Sequence, residues 1–198
     1  MGKNRHWVAA WLMFLSLAFM AGCGEYGKVD QGRVIKFDKD KQLVTIIRDV
    51  KEDPNNPDYS HLPPITYELP KNPDDVGADP KAGLRMKLDA KNKEIVLFDP
   101  VSGGFKTLHY TLLDQKENLS KDDPLIKDKK FPLVDREKKT ITIFSGRQKL
   151  LVTFSVPDEY FSLPDSAWEA GDEARFYYKE DGKALRYMNV SKTDIFKK

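Results

Sequence analysis

The chain has 198 residues, 33 basic and 31 acidic, with a formal charge of +2 and a single cysteine. Lys3 and Arg5 are the only charged side chains before residue 23, so from there on basic and acidic residues balance at 31 each. A balanced chain lacks the cationic excess that grips nucleic acid without regard to sequence, and a lone thiol excludes an internal disulfide.

The first 22 residues run from a short basic start (Lys3, Arg5) through an apolar stretch, residues 7–19, to small residues before Cys23. That order is the signature of a secretory signal. The segment Met20-Ala21-Gly22-Cys23 resembles the lipobox of bacterial lipoproteins, with Met20 where that family most often has Leu. The resemblance implies a diacylglycerol on the Cys23 sulfur, cleavage before Cys23 and acylation of the new N-terminus. A lipidated cysteine supplies the two acyl chains that stable anchoring requires. Gly24, where Asp would favour inner-membrane retention in enteric-type bacteria, points to the periplasmic face of the outer membrane in a host with two membranes. Residues 23–30 then form a membrane-proximal tether.

The body shows a repeated pattern. Residues 38–47 align with residues 135–144, identical at Asp, Lys, Thr and Ile. Residues 65–70 match 152–157, residues 85–88 match 175–178, and residues 93–98 match 183–188, all in the same order. Each copy predicts a hairpin, a lone strand ended by Pro70 or Pro157, and a second hairpin opened by Gly83 or Gly171. Asp181-Gly182 in the last turn is a strong hairpin signal. Alternation puts Leu84, Met86 and Leu88 on one face of a strand and Arg85 and Lys87 on the other, with Phe176 and Tyr178 inward in the second copy.

Five short strands per copy predict an all-β chain of two tandem small five-stranded antiparallel barrels, similar to oligonucleotide-binding-like and SH3-like barrels, after a signal peptide. Closure would remove exposed sheet edges. The expected boundaries are 1–22 for the signal peptide, 23–30 for the tether, 31–104 for the first barrel, 105–130 for a connector and 131–198 for the second barrel. Residues 49–64 form a proline-rich insertion in the first copy, and residues 105–113 alternate as an additional strand would.

His61 and His109 stand apart from any thiol or paired carboxylate, so they read as surface or strand residues, with no metal and no cofactor expected. Asp38, Asp40 and residues 53–58 lack the spacing of a calcium loop and suit turns. No nucleophile elbow or phosphate-cradling loop is present. Aromatic residues concentrate in the second copy. Phe161 and Trp168 suit either a plug for the barrel end or, with Tyr160 and Tyr177, an exposed partner-binding patch, with the 49–64 insertion as a secondary contact. The chain thus reads as a non-enzymatic binding or accessory lipoprotein, joined to the membrane through lipid on Cys23 and to an envelope protein or glycan, with no nucleic acid. The alternative is an envelope hydrolase with two paired carboxylates.

Overall fold

The computed structural model describes residues 26–193 except 52, 54 and 55. The expected signal peptide and Cys23 lie outside the described residues. The body is all-β, as expected. Its strands are Lys28–Asp38 (β1), Leu43–Arg48 (β2), Ile65–Glu68 (β3), Arg85–Asp89 (β4), Glu94–Asp99 (β5), Gly104–His109 (β6), Thr111–Lys116 (β7), Leu133–Asp135 (β8), Thr140–Ser145 (β9), Leu150–Ser155 (β10), Glu173–Glu180 (β11) and Lys183–Asn189 (β12). β1 begins at Lys28, so residues 28–30 belong to a strand and not to the tether. No helix among the described residues is long and apolar enough to cross a membrane.

One turn recurs. A short polar residue ends a strand and the residue four later takes a left-handed backbone: Gln42 after Asp38, Lys93 after Asp89, Gly103 after Asp99, Lys139 after Asp135 and Lys149 after Ser145, with φ between 51° and 67°. Asp38, Asp89 and Asp135 each accept, through Oδ1, the N–H three residues on, at 3.0, 2.9 and 2.9 Å. That bond makes the turn locally self-sufficient. It also holds the Asp89 and Asp135 carboxyls below the usual carboxylate range, the backbone N–H of Asn92 and of Lys138 being the largest cause.

The repeat is visible in the pairing. In the first half Thr45 lies opposite Thr66, and in the second Thr142 lies opposite Thr153. The hydroxyl oxygens are 2.9 Å apart in both pairs. These are the positions that the sequence alignment matches.

Two separate barrels are not what the strands build. A single closed barrel runs β1-β11-β12-β3-β2, so the first half supplies three strands and the last hairpin of the second half closes it. The hairpin β4–β5, from the first half, joins the other body instead. There it pairs with β6 in the order β4-β5-β6, facing β7-β10-β9-β8. Each half lends its second hairpin to the other. Where the sequence predicts one additional strand in residues 105–113, the connector contributes two, β6 and β7, separated only by Tyr110, which link the two sheets. Two main cores result. Val34, Val44, Ile46, Tyr67, Phe176 and Tyr187 fill the barrel, with Tyr67 stacked on Phe176 at 4.5 Å. Ile95, Leu108, Ile141, Val152, Phe154 and Trp168 fill the space between the open sheets.

The exchange is fixed where two chain segments cross. Asp172 N–H donates to the Lys81 carbonyl at 2.8 Å, and Arg85 N–H to the Glu169 carbonyl at 2.9 Å. The β1 backbone joins them: Val34 N–H donates to the Asp172 carbonyl at 2.9 Å, and the Val34 carbonyl accepts from Gly83 N–H at 3.1 Å. A Cβ on Gly171 would stand 1.8 Å from the Val34 carbonyl oxygen, and one on Gly83 would stand 2.5 Å from that of Glu169. Glycine is required there by closeness of backbones, not by positive φ.

Candidate functional site

β4 pairs with β5 along one edge and has no strand on the other. Buried carbonyls need donors wherever a ladder is missing. Arg33 on β1 supplies two of them, its guanidinium donating to the carbonyls of Arg85 at 3.0 Å and Met86 at 2.8 Å. Gln148 in the β9–β10 turn supplies a third, its Nε2 donating to the Leu88 carbonyl at 2.9 Å. Side chains from the barrel and from the facing sheet thus cap the free edge, and a cleft of about 670 Å³ opens beside it. Residues 56–60 of the proline-rich insertion form another part of its wall.

The cleft is rich in cations. Arg33, Arg85, Arg147, Lys87 and Lys121 line it, against Asp58 and Asp172. Arg33 and Arg85 are 8% and 7% exposed, and no carboxylate lies within ion-pair distance of either among the described residues. The register shift in β4 between Arg85 and Lys87 helps to explain the burial of Arg85 next to the buried Met86. Burial is the largest cause lowering the affinity of both guanidiniums for their protons, and for Arg85 the neighbouring Arg33 charge adds to it. Both remain cations at neutral pH, because arginine starts so high.

Arg33 has an indirect counter-charge. Its Nη2 donates to the Tyr59 hydroxyl at 3.2 Å, and that hydroxyl donates to Glu173 Oε2. Burial pushes the Tyr59 phenol up to about 12, so it stays a protonated donor. The guanidinium also sits 4.1 Å from the Tyr59 ring centroid. Glu173 accepts from Gln31 at 3.2 Å, and Gln31 Oε1 in turn accepts two bonds from Arg175, at 2.9 and 2.6 Å. Arg85 is different. Its Nε donates to the Trp168 carbonyl at 2.9 Å, while neither Nη has an acceptor among the described residues.

The four aromatics expected to form an exposed patch are not brought together. Trp168 is fully buried and Phe161 is 7% exposed, both in the core between the open sheets. Trp168 meets Phe154 edge to face at 6.3 Å, and apolar area of that size belongs inside. Tyr160 packs half-buried against the same core, with Lys106 Nζ 5.6 Å from its ring centroid. Tyr177 stands apart on the outer surface of the barrel, 37% exposed, opposite Val29. The contribution of Trp168 to the cleft is indirect: its carbonyl orients Arg85.

Sequence reasoning missed Arg33, Tyr59, Arg85 and Arg147. Alternation placed Leu84, Met86 and Leu88 on one face and Arg85 on the other, but the register shift splits that face. Leu84 and Met86 pack with Ile35, Ile47 and Tyr59, Leu88 joins the core between the open sheets, and Arg85 lies opposite Leu97. The one advance signal was that the insertion, which carries Tyr59, is a long loop. Among the described residues no group of three or more His, Cys, Asp or Glu side chains is placed to hold a metal ion. His109 is exposed, with Nδ1 3.6 Å from Glu94.

No curated protein and no solved structure matches the chain. Residues 25–198, which include every strand and the whole cleft, match the family described as Domain of unknown function (DUF4881), and the chain belongs to that family.

Proposed function

We propose that this chain is a lipid-anchored, extracytoplasmic binding protein, without catalysis of its own, which receives an envelope partner or ligand in the cleft between the barrel and the open sheets. The observation that carries this reading is the cleft itself: about 670 Å³, within the range of ligand sites, with walls from β1, β4, the 49–64 insertion and the β9–β10 turn. The Arg33 and Gln148 bonds across it make it a preformed site. The hydrolase alternative needs two carboxylates facing one lumen. Of the two acids lining the cleft, Asp172 already accepts from Lys81 N–H at 2.9 Å and from Asn189 Nδ2 at 2.8 Å.

The anchor reading rests on the Met20-Ala21-Gly22-Cys23 segment. Cys23 precedes the first residue of β1 by five positions, so an anchor there would hold the barrel within roughly 17 Å of the lipid, at about 3.4 Å per residue. Tyr26, Val29 and Tyr177, exposed by 94%, 48% and 37%, lie at that end of the barrel and suit a membrane interface.

Both parts are open to test. Cys23→Ser should abolish lipid labelling, and mass spectrometry of the mature N-terminus should find a modified Cys23; an unmodified one ends the anchor reading. Ser60→Trp places an indole at an exposed cleft position. It should release what the tagged chain captures from membranes while leaving the unfolding temperature near that of the native chain. Full retention of the captured species would move the site out of the cleft.

A further inference from the structure

Resting on the cleft as the binding site, we propose that its ligand presents an oxyanion, a carboxylate or a phosphate, to the guanidinium of Arg85. Arg85 is almost wholly buried, Nε is fixed on the Trp168 carbonyl at 2.9 Å, and the two Nη groups have no acceptor among the described residues. Neither Nη is sealed from solvent, and the residue lines the cleft, which puts the free edge of the fork within reach of a ligand there. A buried cation without a paired anion is unfavourable, and a second cation beside it makes it more so. Arg33 is that second cation, and three of its four Nη hydrogens are already taken by two carbonyls and Tyr59.

Glu169 is the acid whose charge acts on Arg85 in the opposing sense, and its carboxylate is itself paired with Lys81 Nζ at 2.8 Å. Arg147 and Lys121 add positive charge to the wall, with no carboxylate within ion-pair distance of either among the described residues. Asp172 has Lys192 Nζ at 3.4 Å and Asp58 has Lys51 Nζ at 3.9 Å, so both acids have cations of their own. An extended peptide cannot add to β4 through the Arg85, Met86 and Leu88 carbonyls, because Arg33 and Gln148 occupy them. What the cleft offers is donors. A guanidinium held at Nε, with its Nη pair free, matches a planar or tetrahedral oxyanion in two parallel bonds. Val96, Phe105 and Phe144 line the same cleft, so the oxyanion is carried on an apolar body.

The test is calorimetry on the full chain with benzoate, phenyl phosphate and inorganic phosphate, alongside arginine Nε–H NMR. Saturable binding of benzoate or phenyl phosphate that shifts the Arg85 resonance is expected, and whichever binds more tightly identifies the source of the oxyanion. Inorganic phosphate should bind at least about tenfold more weakly, for want of apolar contact. Arg85→Lys should weaken binding by about tenfold or more, because an ammonium cannot reproduce the fork. Arg147→Gln, at an exposed position, should weaken it by about two- to fivefold, and added salt should reduce that difference. The proposal is overturned if neither organic probe saturates, if Arg85→Lys leaves affinity unchanged, or if inorganic phosphate binds as tightly as phenyl phosphate. Should Arg85→Lys fail to fold, the native chain decides: an unshifted Arg85 resonance under saturating probe overturns the proposal. Release of captured material by Ser60→Trp without oxyanion binding would sink this inference and leave the cleft reading in place. Oxyanion binding with capture unaffected by Ser60→Trp would do the reverse.

Discussion

The closed barrel and the open pair of sheets start from the same three-strand unit, with the same turn and the same threonine pair, and end differently. In the barrel, β1 is 11 residues long and reaches both β2 and β11, so the ring closes. In the other body the corresponding strand, β8, has three residues and pairs only with β9. β6 and β7 are inserted between β5 and β10, where the barrel joins β12 directly to β3. Strand length and one insertion thus decide between a sealed cylinder and a sheet with a free edge. The free edge became the cleft.

The comparison is tested most severely by truncating matched cores. Phe176→Ala in the barrel and Phe154→Ala in the sheets remove fully buried rings, and each should cost about 3–5 kcal/mol. Because each body contains a hairpin from the other half, both variants should lower one shared transition in calorimetry; two separately moving transitions would show that the bodies unfold independently. Gly171→Ala attacks the crossing itself. With a backbone oxygen 1.8 Å from the new Cβ, it should cost about 2–3 kcal/mol, and a neutral result in denaturant unfolding would mean the crossing is loose. Thr45→Ala and Thr142→Ala probe what the bodies share. Each should cost about 0.5 kcal/mol, with equal values expected and a difference above about 1 kcal/mol breaking the equivalence.

The smallest effect concerns pH. Burial is the main cause raising the Glu173 carboxyl, against the opposing hydrogen bond from Tyr59. A raised acid contributes its stabilisation in full below its unfolded value, 4.5, and loses it as pH rises through the folded one. The native chain should therefore lose stability relative to Glu173→Gln as pH rises from mildly acid to neutral, read as a difference in unfolding temperature. A difference independent of pH would show that Glu173 titrates normally.

Local features were legible in the sequence. The Asp-led turns followed from residue chemistry, and Phe176 and Tyr178 lie inward as their spacing requires, whereas the register shift in β4 sends Met86 and Leu88 into different cores. The repeat was legible because matched residues occupy matched ladder positions. The partner of each hairpin was not, since alternation fixes which face is apolar and is silent on which strand lies alongside. Gln31 and Glu173, 142 residues apart, bond to each other with no local trace of it. The same blindness hid Arg85, whose alternation with Leu84 and Met86 suggests solvent and whose neighbours in space are β1 and Trp168. Phe161 and Trp168 misled for the complementary reason: aromatics in a loop look available until a core reaches them.

The crossing has a consequence for the order of assembly. β1, β2 and β3 are made early, yet their ring cannot close before Asn189 has been added, because β11 and β12 come last. Until then, three strands with unpaired edges must wait while about a hundred further residues are synthesised. Contacts of such long sequence separation fold slowly and leave strand edges open to wrong partners. A stop or a cut anywhere in β11 or β12 would therefore disable the beginning of the chain along with its end.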